Sequence, residues 1–435
     1  MQLRQISPRR LLVLLLVLLI SCPTAYAGET GGTRTIFGPA AVQAIQAAAA
    51  SASEAAPPAA PKNRAESVRA IVACLGLGEG SAIADIGAGN GKDTWVFADV
   101  VGKAGRVFAE EISQGKVDSL AEKAVEKELP QVHAVLGGST DPCLPAASVD
   151  LAYMNRVYHH FAKPREMLRA IWRSLKPGGY LVVVDQQRGT LQDWVPRHVR
   201  EDKHHWIAET TVVREAREEG FAFVKCAEEC WHERAPFVLV FQRPEDGGRL
   251  GHDPDTFDPI AIDEWAGLFL PAAGKYRNPV FIALGRSRQF IPRILEHSTG
   301  RPVEIVLEEW ATQKDERPAP PADTDLPSTL TNDGDPELAD EPVDAVFFLD
   351  SYHLLFHGPT LLAELHERLS PTGRIFVLDR RSDERLSHRL ASHHRRIRPE
   401  MVEQEMADAG FSLWFRGSRP PDDRFVLVFG HSPKP

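Results

Sequence analysis

An apolar strand that runs directly into a glycine-rich turn is the feature that most constrains the fold of this 435-residue chain. Residues 83–91 read Ile-Ala-Asp-Ile-Gly-Ala-Gly-Asn-Gly, and the pattern predicts a helix that opens at Lys92 and Asp93. In open α/β sheets such a junction binds nucleotide-like ligands, because glycines let the ligand approach the backbone and the N-terminus of the helix. A nicotinamide fingerprint requires G-x-G-x-x-G, whereas Lys92 stands where its third glycine belongs. The spacing therefore argues against a dehydrogenase.

Helix and strand patterns alternate on both sides of this turn, which predicts an α/β fold with a doubly wound, mostly parallel sheet closed by an antiparallel strand pair. The expected strands are 82–86, 106–110, 132–136, 149–155, 180–185, 221–226 and 236–242. The expected helices are 63–75, 113–128, 164–175 and 208–219, the third of which ends at the stop signal Lys176-Pro177-Gly178-Gly179.

The second half of the chain repeats the first. Tyr158-His159 recurs as Tyr352-His353, 194 residues later, which predicts a tandem duplication of one domain. Pairing Glu110-Glu111 with Glu308-Glu309 gives an offset of 198 and aligns the glycine turn with residues 285–289, Gly-Arg-Ser-Arg-Gln. Side chains then replace two of the three glycines, so we expect the second copy to be degenerate and unable to bind the ligand normally.

The first 27 residues are typical of an export signal. Arg9 and Arg10 precede an apolar run, Leu11–Ile20, and the segment ends in Ala25-Tyr26-Ala27. Ten apolar residues are too few to cross a bilayer, and the A-x-A ending suits signal peptidase, although a retained membrane anchor is the alternative. We therefore expect an exported, periplasmic protein.

A second interpretation of the N-terminal segment is a lipoprotein signal. Leu19-Ile20-Ser21-Cys22 resembles a bacterial lipoprotein box, in which Cys22 would carry the lipid. Removing residues 1–27 removes three arginines and no acidic residue, which takes the formal net charge from −10 to −13. Such an acidic protein is a poor ligand for nucleic acid, so no nucleic-acid partner is expected.

The segments expected along the chain differ in composition. They are the signal 1–27, an Ala/Pro-rich tether 28–61, a first domain 62–245, a linker 246–260 and a second domain 261–435 that contains a disordered insertion, 311–342, dense in proline and aspartate.

The acidic pair Glu110 and Glu111, which closes the strand after the glycine turn, completes a pattern that resembles class I S-adenosylmethionine-dependent methyltransferases. The resemblance covers about 63–242 and, more faintly, about 262–430, and it implies tandem Rossmann-like domains with S-adenosylmethionine as the cofactor. In this family the glycine loop contacts the methionine moiety, the acid takes the ribose hydroxyls and residues after the third strand take the adenine. Carried across, the cofactor residues are Asp85, Gly87, Ala88, Gly89, Asn90, Gly91, Glu110, Glu111, Asp141 and Asn155.

Candidate catalytic residues follow the fourth strand, whose carboxyl end borders the ligand crevice in such sheets. They are Tyr158, His159 and His160. A histidine there is suited to act as a general base or to hold the methyl acceptor. Because Tyr158 and His159 recur in the second half, bracing of the strand end is the alternative role for these two; His160, replaced there by Leu354, is the more discriminating candidate.

The methyl acceptor is expected to be a small or lipid-like molecule, because the resemblance is closest to the quinone-type branch of the family. His204 and Trp206 are candidates for its pocket, with scaffold packing as the alternative.

A basic run of arginines in the second half is interpreted as a solvated helix face or as a peripheral contact with an anionic headgroup. It comprises Arg380, Arg381, Arg385, Arg389, Arg395, Arg396 and Arg398. A noncatalytic exported protein that binds S-adenosylmethionine or a nucleoside remains the alternative to an enzyme.

No metal site is expected. Cys226, Cys230 and His232 fall on a predicted strand, 221–233, where the two thiols would be roughly 13 Å apart and unable to share an ion or a bridge. Loss of Cys22 with the signal leaves four cysteines, an even number that permits disulfides without requiring them.

Overall fold

The structure is a computed structural model that describes residues 60–186, 207, 209–233, 236–248, 267–271, 274–282, 290–300, 302–307, 328–331, 338, 341–355, 358–418 and 423–431. The expected export signal, nearly all of the tether, most of the linker, the acceptor candidates His204 and Trp206, and the stretch 285–289 lie outside these ranges.

The first half folds into one seven-stranded sheet flanked by helices. Its order is β3-β2-β1-β4-β5-β7-β6, with β1 to β5 parallel and β7 antiparallel to both of its neighbours, which confirms the predicted fold class. The strands are β1 Ala82–Ile86, β2 Arg106–Glu111, β3 Val132–Leu136, β4 Val149–Asn155, β5 Leu175–Gln186, β6 Ala222–Cys226 and β7 Pro236–Gln242. The helices are α1 Arg64–Cys74, α2 Lys92–Val101, α3 Gln114–Glu126, α4 Pro164–Ser174 and α5 Glu209–Glu218.

The second half builds a second sheet with the same topology, β10-β9-β8-β11-β12-β14-β13. Its strands are β8 Pro279–Ile282, β9 Val303–Leu307, β10 Ser328–Thr331, β11 Val343–Leu349, β12 Leu369–Arg380, β13 Phe411–Ser418 and β14 Arg424–His431. Its helices in the described ranges are α6 Ile291–Leu295, α7 Gly358–Arg368, α8 His388–His394 and α9 Pro399–Asp408.

The core of the first half lies on both faces of its sheet. Successive strand residues point to opposite faces, so Ala84 and Ile86 join one buried cluster whereas Ile83 joins the other. All five residues of β1 are buried, as expected for a central parallel strand covered by helices on both sides. The carboxyl end of this rigid strand therefore presents the glycine turn at a fixed position.

The structure corrects three local predictions. The segment 176–179 does follow the end of α4, but it lies inside β5 as a bulge, because Leu175 pairs with Val149 and Tyr180 with Leu151. The expected disordered insertion contains β10, which pairs with β9, so that prediction is wrong over 328–331. The predicted strand 221–233 ends at Cys226, where the chain turns into a short 3-10 helix, Glu228–Cys230.

Among the residues that the structure describes, no helix combines the length and apolar character that a membrane crossing needs.

An ion pair with a buried carboxylate joins the two halves where α5 meets α8. Arg389 donates two hydrogen bonds to the Glu209 carboxylate, at 2.6 and 2.7 Å, and His393 Nε2 lies 3.1 Å from the same carboxylate. Phe223 packs its ring edge-on against His393, with centroids 5.2 Å apart. Burial alone would raise the pKa of Glu209, yet the hydrogen bonds from His393 and Arg389 hold this pKa to about 2.

These contacts bear on the basic run. The solvated-helix-face interpretation is wrong for Arg395, which is buried. Arg389 is half-buried and also donates to Glu228 at 2.6 Å. Arg381 pairs with an exposed carboxylate, that of Asp383, at 3.5 Å. The headgroup contact stays a prediction.

We expect Glu209→Gln to lower the free energy of unfolding by about 2 kcal/mol near pH 7, because it leaves Arg389 and His393 without the carboxylate. Since the folded pKa lies below the ordinary 4.5, the contribution of Glu209 is complete above about pH 4.5 and disappears as the pH falls towards 2. Urea unfolding of both proteins at several pH values measures this. Glu166→Gln, in the exposed pair with Lys163, is the matched control; an equal loss in the control would contradict the assignment.

Candidate functional site

The glycine turn between β1 and α2 is held in a left-handed backbone conformation. Gly87, Gly89 and Gly91 have φ values of 67°, 60° and 79°, which side chains rarely permit. A Cβ on Gly87 would lie 2.7 Å from Val157 and one on Gly91 would lie 2.6 Å from Trp95, whereas one on Gly89 would meet no atom within 4 Å. Gly89 therefore faces open space, where a ligand can reach the backbone.

Two carboxylates from the end of β2 bind the amides of this turn. The Gly87 N–H donates to Glu110 Oε2 at 3.0 Å, and the Gly89 N–H donates to Glu111 Oε1 at 2.8 Å. Glu111 also accepts from Lys116 Nζ at 3.0 Å. The cofactor candidates on β1 and β2 are therefore brought together, and Glu111 is the carboxylate next to the open glycine.

Glu110 plays a different part from its neighbour. Its Oε1 is buried and has no hydrogen-bond partner, and a Cβ on Gly137 would overlap this oxygen. Burial, reinforced by the charge of Glu111, raises the pKa of Glu110 to about 7 although the Gly87 amide opposes the shift. Glu110 is thus packed closely under the turn, and its raised pKa favours the protonated, neutral carboxyl group.

A polar network fixes the start of α2. Arg64 donates to both oxygens of Asp93 at 2.6 and 2.7 Å, and Tyr153 and Asn155 donate to the same carboxylate at 3.1 and 3.2 Å. Thr94 donates to Asp85 at 2.6 Å. Burial and the charge of Asp93 raise the pKa of Asp85 to about 7.

Sequence reasoning named Asp85 and Asn155 but missed Asp93, Arg64 and Tyr153. Asp93 adjoins the motif and could have been found as an acidic residue in the first turn of a helix, which is favourable there. Arg64 comes from a distant segment, so no local pattern pointed to it.

Two exposed apolar side chains stand at the carboxyl ends of neighbouring strands. Ile112, directly after Glu111, is 65% exposed, and Leu136, which pairs with Glu111 across β2 and β3, is 46% exposed. They offer an apolar surface beside the Glu111 carboxylate, which suits a flat heterocycle attached to a hydroxylated sugar.

Asp141 lies in the loop after β3, where its carbonyl accepts from the Gly138 N–H at 2.7 Å. Its side chain accepts from the Cys143 N–H at 2.8 Å and pairs with Arg173 at 3.4 Å, which connects this loop to the end of α4. Ala88 is half-buried and Asn90 is exposed, both within the turn. The adenine role of Asp141 stays a prediction.

The candidate catalytic residues follow β4 in a short 3-10 helix, Tyr158–His160. Tyr158 donates to Glu215 at 2.6 Å, and His159 Nδ1 lies 2.9 Å from Asp185. Both side chains are buried, whereas His160 is exposed.

The second half contains the same two contacts. Tyr352 donates to Glu405 at 2.9 Å, and His353 Nδ1 lies 2.8 Å from Asp379. In both halves the aspartate also accepts from the histidine's backbone N–H. Repeated geometry favours the bracing role for Tyr158 and His159, while their catalytic role stays a prediction.

The strand registers align the two halves differently from the sequence comparison. Asp85 pairs with Tyr153 in the first sheet, and Phe281 pairs with Phe347 in the second. Tyr153 and Phe347 are separated by 194 residues, the offset of the recurring Tyr-His pair. Phe281 is therefore equivalent to Asp85.

This register corrects the earlier alignment. Phe281 lies 196 residues after Asp85, so the offset of 198 is wrong by two residues at this strand. Glu304 pairs with Phe281, which makes Ile305 equivalent to Glu110. The mistake arose because a match of two glutamates is shorter than a strand and does not determine its register.

Aromatic packing in the second sheet replaces the polar network of the first. Phe347 stacks on Phe281 with centroids 5.2 Å apart and on Phe376 at 5.0 Å, and all three are buried. Tyr276 and Phe269 pack edge-on against the same rings. This region has become an apolar core.

One group of residues in the described part of the chain has the geometry of a metal site: Asp350, His353 and Asp379. Arg424 Nε lies 4.0 Å from Asp350 Oδ1, so a guanidinium already faces this carboxylate. The expectation that the protein uses no metal stays a prediction.

Comparison with known proteins identifies the first half. A family model described as "Methyltransferase domain" matches residues 84–183. A trans-aconitate 2-methyltransferase from Azoarcus sp. is 28% identical over 234 residues, covering 51% of this chain and 82% of the relative. A demethylmenaquinone methyltransferase from Listeria monocytogenes is 24% identical over 116 residues, covering 27% of this chain and 49% of the relative. The crystal structure of a SAM-dependent methyltransferase from Aquifex aeolicus is 22% identical, covers 40% of this chain and 88% of its own, and has a TM-score of 0.35.

The resemblance to class I S-adenosylmethionine-dependent methyltransferases, with that cofactor, is thereby confirmed for the matched domain. The chain spans less than half the length of most of the curated relatives that it matches.

We expect Glu110→Gln to flatten the dependence of stability on pH. Glu110 keeps its proton up to about pH 7 in the folded state but only up to about pH 4.5 in the unfolded chain. The free energy of unfolding therefore falls by about 3 kcal/mol as the pH rises from 4.5 to 7, and this contribution is constant above pH 7. The neutral amide removes this fall. Urea unfolding from pH 4.5 to 8 tests it, with exposed Glu122→Gln as the control; an unchanged slope in Glu110→Gln would contradict the buried-carboxyl assignment.

Proposed function

We propose that this protein transfers a methyl group from S-adenosylmethionine to a small-molecule or lipid-like acceptor, using the first half of the chain. The observation that carries the proposal is the open face of Gly89, whose N–H is bound by the Glu111 carboxylate. A backbone without a side chain beside a carboxylate can accept an adenosyl group closely and bind its ribose hydroxyls.

The residues present fit the cofactor. Glu111 would accept the ribose hydroxyls, Ile112 and Leu136 would flank the adenine, and Gly87 to Gly91 would lie along the methionine moiety. Bound S-adenosylmethionine supplies an electrophilic methyl group on a sulfonium.

The chain itself has to position the acceptor and exclude water, since an in-line displacement needs little covalent chemistry from the protein. The Arg64–Asp93–Tyr153 network keeps the first turn of α2 in place against β4. The His159–Asp185 and Tyr158–Glu215 contacts keep the chain after β4 in place. His160, exposed at this strand end, is the side chain we assign to the acceptor, either to remove a proton or to hold it.

Support for a small acceptor comes from the relatives, which are named for demethylmenaquinone and for trans-aconitate.

For the second half, we propose a degenerate copy of the same domain that does not bind the cofactor. Its equal strand order and repeated Tyr-Glu and His-Asp contacts support the duplication. Phe281 at the position of Asp85, and Ile305 at that of Glu110, support the loss of binding.

Calorimetry with S-adenosylmethionine and S-adenosylhomocysteine tests the cofactor site. We expect Glu111→Ala to weaken binding about 10- to 100-fold, because the ribose loses a charged acceptor worth about 1.5–3 kcal/mol. Gly89→Ala should weaken it similarly, since the methyl group enters the ligand space. Gly115→Ala, also in open space but on α3, is the matched control. Unaltered binding in Glu111→Ala would refute the ribose assignment, and no binding by the wild type would refute the proposed function.

Turnover separates an enzyme from a binding protein. We expect His160→Ala to lower methyl transfer to a quinone-like or small carboxylate acceptor at least 10-fold while cofactor affinity stays within about twofold. The assay measures S-adenosylhomocysteine released over an acceptor panel, and His133→Ala, an exposed histidine on β3, is the control. Equal losses of turnover and affinity would reject the role of His160. Cofactor binding without turnover on any acceptor would favour the noncatalytic alternative.

A further inference from the structure

We propose that Cys74 and Cys230 form a reversible disulfide that fastens the turn after β6 to α1. The two residues are far apart in sequence and belong to elements that pack side by side. This assignment is independent of the methyltransferase activity, and its test does not use that activity.

The turn lies along one face of α1. Ser67 Oγ accepts from the His232 N–H at 2.9 Å and is hydrogen-bonded to His232 Nδ1 at 2.9 Å. Cys74 is seven residues after Ser67, which is two helical turns along the same face. Cys230 precedes His232 by two residues. The turn therefore lies against α1 with the Ser67–His232 contact near the start of the helix and the two thiols near its end.

Packing places the Cys230 thiol against this helix. Cys230 is buried in the apolar cluster that contains Val68, Ile71 and Val72 of α1. The turn Glu228–Cys230 packs against α1, and the Cys230 and Cys74 thiols are close enough to act on each other's pKa. Cys74 itself is exposed, so an oxidant in solution can reach one sulfur of the pair.

The two thiols differ in the way that disulfide exchange requires. The interaction with the Cys230 thiol, helped by the nearby Lys225 ammonium, lowers the pKa of Cys74 to about 7, although burial opposes the shift. The same contact, together with burial, raises the pKa of Cys230. Glu229 is the acidic group that faces the pair and acts against Lys225. Because Cys74 is exposed whereas Cys230 is buried, and because the pKa of Cys74 is lowered, Cys74 is the nucleophile and Cys230 the resolving thiol.

The oxidant is a small-molecule disulfide such as oxidised glutathione. The Cys74 thiolate attacks one glutathione sulfur, forms a mixed disulfide and releases one glutathione thiolate. Cys230 then loses its proton and attacks the Cys74 sulfur, which releases the second glutathione. Two protons and two electrons leave the protein, and one disulfide molecule becomes two thiols.

The other two cysteines of the described ranges serve as internal references. Cys226, the last residue of β6, has a pKa that burial raises to about 12, so its thiol is protonated and unreactive near neutral pH. Cys143 is exposed on the loop between β3 and β4.

The bridge would act close to the glycine turn. Beyond His232, Glu233 pairs with Arg156 at the end of β4, at 3.2 Å, and Arg64 of α1 holds Asp93. A covalent bond between Cys74 and Cys230 therefore joins two elements that contact the surroundings of the site. One is α1, through Arg64 and Asp93, and the other is the segment after Cys230, through Glu233 and Arg156.

The experiment treats the purified full chain with oxidised or reduced glutathione, alkylates free thiols and maps peptides without reduction. We expect a Cys74–Cys230 peptide lighter by two hydrogen atoms, and an increase in Tm of about 5–10 °C upon oxidation, because the bond closes a long loop in the unfolded chain. Exposed Cys74→Ser should lose both effects, whereas the matched control Cys143→Ser should keep both.

Three results would overturn the proposal. One is a stable glutathione adduct on Cys74 with Cys230 alkylated under oxidising conditions. Another is a bridge from Cys74 to Cys226 or Cys143. The third is an equal Tm increase in Cys74→Ser. Dithiothreitol must reverse both the bridge and the Tm increase in the wild type.

Discussion

The site depends on two backbone N–H groups that donate to two adjacent carboxylates. Gly87 and Gly89 belong to the turn after β1, and Glu110 and Glu111 belong to the end of β2, so these contacts join neighbouring strands at the edge where ligands bind. Neighbouring residues of a strand point to opposite faces, which gives the two glutamates different surroundings. Glu110 is packed under the turn against Gly137, and Glu111 is placed beside the open glycine.

The two halves share a framework and differ in what the framework encloses. Each has a tyrosine and a histidine after its fourth strand that contact a helix glutamate and a strand aspartate. In the first half the neighbouring strands end in carboxylates and a left-handed turn. In the second half Phe281 and Phe347 stack in the corresponding strands. Aromatic side chains need no hydrogen-bond or ion-pair partner when they are buried, whereas buried charges do. The second sheet can therefore be packed without a polar network at this position.

Local sequence patterns were sufficient for the first sheet and for the glycine turn of the site. The apolar period and the glycine spacing predicted β1 and the start of α2, because both signals are local. The role of Glu110 and Glu111 came from the family resemblance. Local patterns could not predict contacts made by distant segments, such as Arg64 on Asp93 or Arg389 on Glu209. The turn at Cys230 was predicted as strand because residues 227–233 contain no glycine or proline that would mark the end of β6. The alignment of the halves failed for a related reason, since register is a property of paired strands.

The contact between α5 and α8 has a consequence for any attempt to express the first half alone. Glu209 and Phe223 are buried, and Arg389 and His393 of the second half contact them. Truncation before α8 would expose an aromatic ring and leave an ionised carboxylate without its cationic partner. The boundary between the two sheets is therefore an unsuitable place to cut the chain, even though each sheet has its own complete strand order.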